Sequence, residues 1–414
     1  MVPSGWKIST LGQLGHWSGG GTPSKSILEY WTNGTIPWVS PKDMGSTRIF
    51  NAEDYITVNA VKNSSTKLYP SGSILVVTRS GILKRKVPVA VAMTPVSVNQ
   101  DIKVLQPNDL ISTEFIANVM WCYNDTILAR CAKDGTTVES IDTDSLLNFP
   151  IKLPPLNEQR QIAQVLSEWE KAILVTEQLL KNSLQQKKAL MQQLLTGKKR
   201  LLDENGVNFS EGWNECLLGN LGNTFTGLTG KTKDDFGSGV PYITYMNIFK
   251  NSRIDINQVD YVVVKEDENQ NSVRYGDIFF TTSSETADEV GMSSVLLEEV
   301  ERLYLNSFCF GFRLNNFKVL LPQFAAYILR SSNIRKQISI LGQGATRYNL
   351  SKNQLMKLIL RLPTIAEQKK IAEVLYLADQ EIETLQKKLD CLKQEKKALM
   401  QQLLTGKKRV KVAA

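Results

Sequence analysis

The spacing of apolar residues changes three times along this chain. Up to about Lys152 they come in short runs, such as Ile36-Pro37-Trp38-Val39 and Ser73-Ile74-Leu75-Val76-Val77-Thr78, interrupted by Gly, Pro, Asn and Asp. Runs of that length between turn residues predict buried strands, with a helix over Thr113–Cys122. From Asn157 the period becomes helical: steps of four and three residues from Ile162 reach Leu166, Trp169, Ile173, Thr176, Leu180, Ser183, Lys187, Leu190 and Leu194, the seam of a coiled coil. Gly197 followed by Lys198-Lys199-Arg200 stops that helix. Strand texture returns near Val207, and a second seam runs through Ile371, Leu375, Ala378, Ile382, Leu385, Leu389, Leu392, Lys396, Leu399 and Leu403. Thr176, Ser183 and Lys187 weaken the first seam, so that helix needs its partner to stay folded. Thr364 with Glu367 predicts a capping box for the second helix; the first has Pro155 in that place and Asn157 as its expected cap.

The pattern is written twice. Lys187–Arg200 and Lys396–Arg409 both read KKALMQQLLTGKKR, and Leu153-Pro154-Pro155-Leu156-Asn157-Glu158-Gln159 recurs as Leu362-Pro363-Thr364-Ile365-Ala366-Glu367-Gln368 at the same offset. Gly5-Trp6 returns as Gly212-Trp213, Ile36-Pro37-Trp38 as Val240-Pro241-Tyr242, and Gly135-Thr136-Thr137 as Gly344-Ala345-Thr346, while the residues between these anchors differ. Two domains of one fold with different surfaces follow, and with them a pair of recognition heads. A parallel in-register helix pair would bring Lys187 against Lys396, so the antiparallel arrangement is expected. Connectivity agrees: a helix of roughly 40 residues spans about 60 Å, which the linker Leu201–Val207 is too short to retrace. The expected fold is α+β, a tandem repeat with a pseudo-twofold axis, with two strand-rich heads joined by an antiparallel coiled coil as a dumbbell. Its expected parts are a head over 1–153, a helical region over 154–200, a head over 201–362, a helical region over 363–409 and a tail over 410–414.

Charge and chemistry narrow the function. A net charge of +8, with no long uncharged apolar run, favours an anionic partner, nucleic acid before membrane. Five cysteines without paired spacing, and no charged-then-apolar leader, point to small buried hydrophobes in a reducing cytoplasm. The single histidine, His16, argues against a histidine relay or a zinc site. The Thr226–Thr232 segment misses the first glycine of a phosphate-binding loop because Phe225 stands there, which leaves Lys231 as a phosphate-contacting lysine. No methyltransferase or nuclease motif stands out, so the chain reads as a binder with no metal site. Basic and hydroxyl-bearing loops are its candidate DNA contacts: Thr22, Ser24, Lys25, Lys42, Arg48, Arg79, Ser80, Lys84, Arg85, Lys86 and Thr136 in the first head, and Lys231, Lys233, Asn247, Thr282, Ser283, Ser284, Arg347 and Tyr348 in the second. Such side chains read base edges or hold phosphates.

The twice-repeated Leu-Pro-x-x-x-Glu-Gln-x-x-Ile-Ala segment, the Leu-Leu-Thr-Gly-Lys-Lys-Arg ends and the Gly-Trp openings resemble the DNA-specificity subunit of type I restriction-modification systems over essentially the whole chain. The resemblance implies two target-recognition domains, each binding one half of a bipartite duplex sequence. It also implies helical regions that hold the halves apart and dock two adenine methyltransferase subunits, with restriction-translocase subunits joining them. S-adenosylmethionine, ATP and Mg²⁺ would then belong to those partners and this chain would be non-catalytic. Candidate docking or coiled-coil residues are Glu158, Gln159, Ile162, Leu166, Trp169, Ile173, Leu180, Leu190 and Leu194 in the first copy, and Glu367, Gln368, Ile371, Leu375, Ile382, Leu385, Leu389, Leu392, Leu399 and Leu403 in the second. The gap between half-sites would follow helix length. An alternative is a non-catalytic coiled-coil scaffold for protein or RNA; a third is a catalytic subunit with an unrecognised nuclease site.

Overall fold

The four-residue run Ile74–Val77 shows how each head is built. Ile74 and Val76 enter one core and Leu75 and Val77 another, so a strand apolar at every position lies between two cores. It is the centre of a five-stranded sheet in the spatial order Gly15–Gly19, Ile102–Pro107, Ile74–Val77, Val89–Ala92 and Arg48–Ile49. A three-stranded sheet, with Ile36–Val39 between Asp54–Ile56 and Ser97–Val98, covers one side. Helix Thr113–Cys122, at its expected bounds, packs on the other, its first turn capped by the Ser112 hydroxyl.

The computed structural model describes residues 2–133, 138–344 and 346–410. They divide into two compact units, Met1–Glu177 with Lys387–Ala414, and Gln178–Gln386. The second unit repeats the plan: Ile278 and Phe280 enter one core and Phe279 another, in a four-stranded sheet ordered Gly222–Thr226, Cys309–Leu314, Ile278–Thr281, Ser293–Val295. In each unit the strand that opens the head pairs antiparallel with the strand just before a long helix, Lys7–Thr10 with Pro150–Leu153 and Asn214–Leu217 with Ile359–Leu362. That pairing brings both ends of a head to one place, where the helix departs.

The long helices are Leu156–Leu194 and Ile365–Leu403. Within the first unit, Glu158, Glu170 and Glu177 meet Arg409, Lys396 and Lys393 in turn, so the two helices run antiparallel. Within the second, Lys187 meets Asp379 and Arg200 meets Glu367, again in opposite senses. Lys187 and Lys396, whose mutual repulsion argued against a parallel pair, therefore each face a carboxylate. Every seam position is buried or half-buried, whereas Leu174, Val175, Leu179, Leu184 and Leu377, off the seam, are exposed. The polar seam residues are satisfied: the Thr176 hydroxyl donates to the Ala172 carbonyl at 2.7 Å and that of Ser183 to Glu381 Oε1 at 3.3 Å.

Both helices end as expected, with Gly197 and Gly406 at positive φ beyond Leu194 and Leu403. The starts differ from expectation. Helix one begins at Leu156, which places Asn157 inside its first turn, not at the cap. At helix two, Thr364 Oγ1 accepts from the Glu367 amide at 3.4 Å, but the Glu367 carboxylate completes no box, because it turns to Arg200.

Candidate nucleic-acid interface

The buried strand Ile74–Val77 ends in a loop clasped from two sides. The Thr78 and Arg79 amides donate to the Asp101 carbonyl at 2.8 and 3.3 Å, while the Ser80 amide donates to Glu139 and that of Ile141 to Thr78. Around this junction lies a cleft of about 660 Å³, lined among others by Pro41, Arg79, Ser80, Asp101, Val138 and Ser140. Lys84, Arg85 and Lys86 are exposed on the adjoining turn, with Lys84 Nζ 3.3 Å from Glu139. In the second unit the loop after Ile278–Thr281 makes the equivalent junction, as Ser283–Ser284 pairs with Tyr348–Asn349. The Thr282 amide donates to the Phe308 carbonyl at 3.2 Å, as Thr78 does to Asp101. Position 308 thus corresponds to 101, and there the second unit exposes a phenyl ring where the first holds a carboxylate.

The repeated Glu-Gln pair lies at the root of each head. Glu158, 2% exposed, accepts both Nε and Nη2 of Arg409 at 2.6 and 2.8 Å and the Trp6 indole at 3.1 Å. Glu367 accepts Nε and Nη2 of Arg200 at 2.6 and 2.7 Å. The neighbouring glutamines secure loops of the head: Gln159 accepts the Ser112 amide and donates to the Pro154 and Leu110 carbonyls, and Gln368 accepts the Leu321 amide and donates to those of Pro363 and Val319. The Gly-Trp openings pack at the same place. A Cβ on Gly406 would come within 2.4 Å of Pro3 and 3.4 Å of the Trp6 ring, and one on Gly197 within 3.3 Å of the Trp213 ring.

A family model described as the type I restriction modification DNA specificity domain matches residues 3–186 and 210–394, one repeat each. The chain belongs to this family. A specificity subunit of the type I restriction enzymes EcoR124I/EcoR124II from Escherichia coli is 46% identical over 165 residues, 40% of each chain. That of MjaIX from Methanocaldococcus jannaschii is 32% identical over 178 residues, 42% of this chain and 39% of the relative. The matches thus span about two-fifths of these two relatives. Among solved structures, the type I S subunit from M. genitalium aligns over 96% of both chains with a TM-score of 0.58 at 16% identity, and the HsdS subunit from Thermoanaerobacter tengcongensis over 98% of both with 0.51 at 18%. These establish the same fold.

Within this specificity-family chain the structure sorts the sequence candidates. Lys25, Arg85, Lys86, Lys233 and Arg347 are exposed cations, Lys25 lying 6.0 Å from the centre of the Trp31 ring. Thr22 bonds Gln100, Ser24 bonds Ser26, and Lys42 sits between Asp54 and Glu53, which raise its pKa. Five candidates are engaged within the chain. Arg48 is held by both oxygens of Glu114 at 2.9 Å, and Lys231, whose side chain is 4% exposed, is paired with Glu268. The Asn247 amide, 2% exposed, donates to the Asp255 and Gln258 carbonyls, and Ser283 and Ser284 are buried in their strand pair with Tyr348. Thr282 is half-buried and Thr136 lies outside the described residues. Glu158, Gln159, Glu367 and Gln368 are buried in contacts within the chain, so their side chains are not an exposed docking surface; each side-chain partner lies at least 47 residues away except Pro154 and Pro363, five residues before the glutamines. Asp101 and Phe308 escaped sequence reasoning, since neither fits a basic-loop pattern.

Burial pushes the Cys309 thiol up to about 12, as expected for an inert core cysteine. Among the described residues no His, Cys, Asp or Glu cluster could hold a metal, and no helix is long and apolar enough to cross a membrane.

Proposed function

We propose that this chain is the DNA-reading subunit of a type I restriction-modification complex, each head recognising one half of a two-part duplex target. The observation that carries the reading is the pair of equivalent junctions: one backbone frame presents Arg79 beside Asp101 in one head and an exposed Phe308 in the other. A shared frame with different tips is what two independent readers of different sequences require. The long helices then separate the half-sites and dock two adenine methyltransferase subunits, one for each strand, with restriction-translocase subunits added to cleave unmarked DNA. S-adenosylmethionine, ATP and Mg²⁺ are carried by those partners, and this chain supplies binding and no catalytic group in the cytoplasm.

Modification-sensitive long-read sequencing of the host with the gene intact and deleted tests this. Loss of one bipartite adenine-methylated motif on deletion is the expected result; an unchanged methylome speaks against it. Exchanging residues 1–152 for another head should alter one half-site and leave the other, and a change in both refutes independent reading.

A further inference from the structure

We infer that Arg79 reads a guanine edge in the half-site bound by the first head, and that Asp101 is the positioning residue that aims its guanidinium. The inference rests on the proposed function and names what one point of that surface recognises.

Asp101 lies on the turn between strands Ser97–Val98 and Ile102–Pro107 and is itself locked. Its amide donates to Asn99 Oδ1 at 3.1 Å, and Asn99, 6% exposed, returns Nδ2 to Asp101 Oδ2 at 2.9 Å. The remaining oxygen, Oδ1, accepts Arg79 Nε at 2.6 Å. Arg79 is therefore held through its backbone amide and its side chain by one residue, and an antiparallel bridge to Ser140 fixes it from the other side. Only Nε is used. Among the described residues, Nη1 and Nη2 have no partner, and the side chain is 56% exposed in the cleft.

Those two groups form the planar fork that matches O6 and N7 of guanine, the commonest specific contact in the major groove. A carboxylate beside the fork disfavours the phosphate alternative, since it repels the backbone that a free arginine would seek. Orienting the plane beforehand also removes rotamer entropy that a long side chain otherwise loses on binding. In the second head the frame persists without the pair: the Phe308 amide donates to Asn306 Oδ1 at 2.8 Å, but Phe308 and Ser283 replace the acid and the base. The guanine contact accordingly belongs to one half-site only.

The test uses the full chain in complex with its methyltransferase subunits, assayed for methylation rate on duplexes in which each base pair of the wild-type motif is replaced in turn. Arg79→Lys keeps the charge and loses the fork; Asp101→Asn keeps the size and loses the anion. Both should relax discrimination at one and the same G·C pair, in the half-site of the first head, by about tenfold or more. A uniform loss of rate at every position, or an unaltered pattern, overturns the inference. A wild-type complex that marks no two-part motif overturns the underlying reading instead.

Discussion

Glu367→Ala is expected to destabilise the unit formed by residues 178–386 by about 3 kcal/mol, measured as the urea unfolding of that unit. Glu367 is fully buried, and its two oxygens neutralise the guanidinium of Arg200, whose side chain is only 23% exposed. Removing the carboxylate leaves a desolvated cation with one remaining bond, to the Glu211 carbonyl. Coulomb attraction in a partly dry site is strong, but the larger part of the cost is the unpaired charge, so removing both partners should cost less than removing one. A double-mutant cycle with Arg200→Met therefore checks the cause: the double variant is expected to be more stable than Glu367→Ala alone, and strict additivity would show that the pair is not coupled. The same arrangement of Glu158 with Arg409 explains why the Glu-Gln segment and the Lys-Lys-Arg end occur in both copies. Each pair joins the start of one helix to the end of the other, and a change on one side orphans its mate.

Arg330→Met should cost about 4 kcal/mol and loosen one corner of the second head. The Arg330 guanidinium is buried, donating Nε to the Ser293 carbonyl at 2.6 Å and Nη2 to those of Ile248, Phe249 and Asn251 at 2.6, 3.1 and 2.8 Å. Burial, together with the nearby Arg335, lowers its pKa to about 10, which still leaves it charged at neutral pH. Methionine fills the space but satisfies none of the four carbonyls, at the end of helix Tyr245–Lys250 and on strand Ser293–Val295. Hydrogen exchange should accelerate over residues 245–254 and 293–296, while residues 1–177 keep their protection. Uniform acceleration across the whole chain would show that this arginine does not hold a local corner. The corresponding position in the first head is Trp121, whose indole donates to a single carbonyl, that of Val89, at 2.9 Å. One scaffold position thus carries a four-bond clamp in one head and a single bond in the other.

The family, the two heads, the bounds of helix Thr113–Cys122, the seam of both long helices and their antiparallel sense were all legible in the sequence. Each depends on a period or a repeat, and covalent spacing alone sets which residues share a helix face or a strand face. The repeated lysines carried the sense of the helices, because charge repulsion between identical segments needs no knowledge of the heads. What each polar residue does was decided only by the tertiary structure. Arg48, Lys231 and Asn247 look like free surface readers in sequence and are engaged within the chain, because their partners Glu114, Glu268, Asp255 and Gln258 lie 66, 37, 8 and 11 residues away, at no period. Glu158 and Gln159 look like a docking motif and prove to be the fastening between helix and head, for the same reason. Asp101, invisible among basic loops, gains its place from a turn that folds back 22 residues to meet Arg79. Local spacing determines which elements form, whereas the pairing of charges depends on which elements the chain brings together.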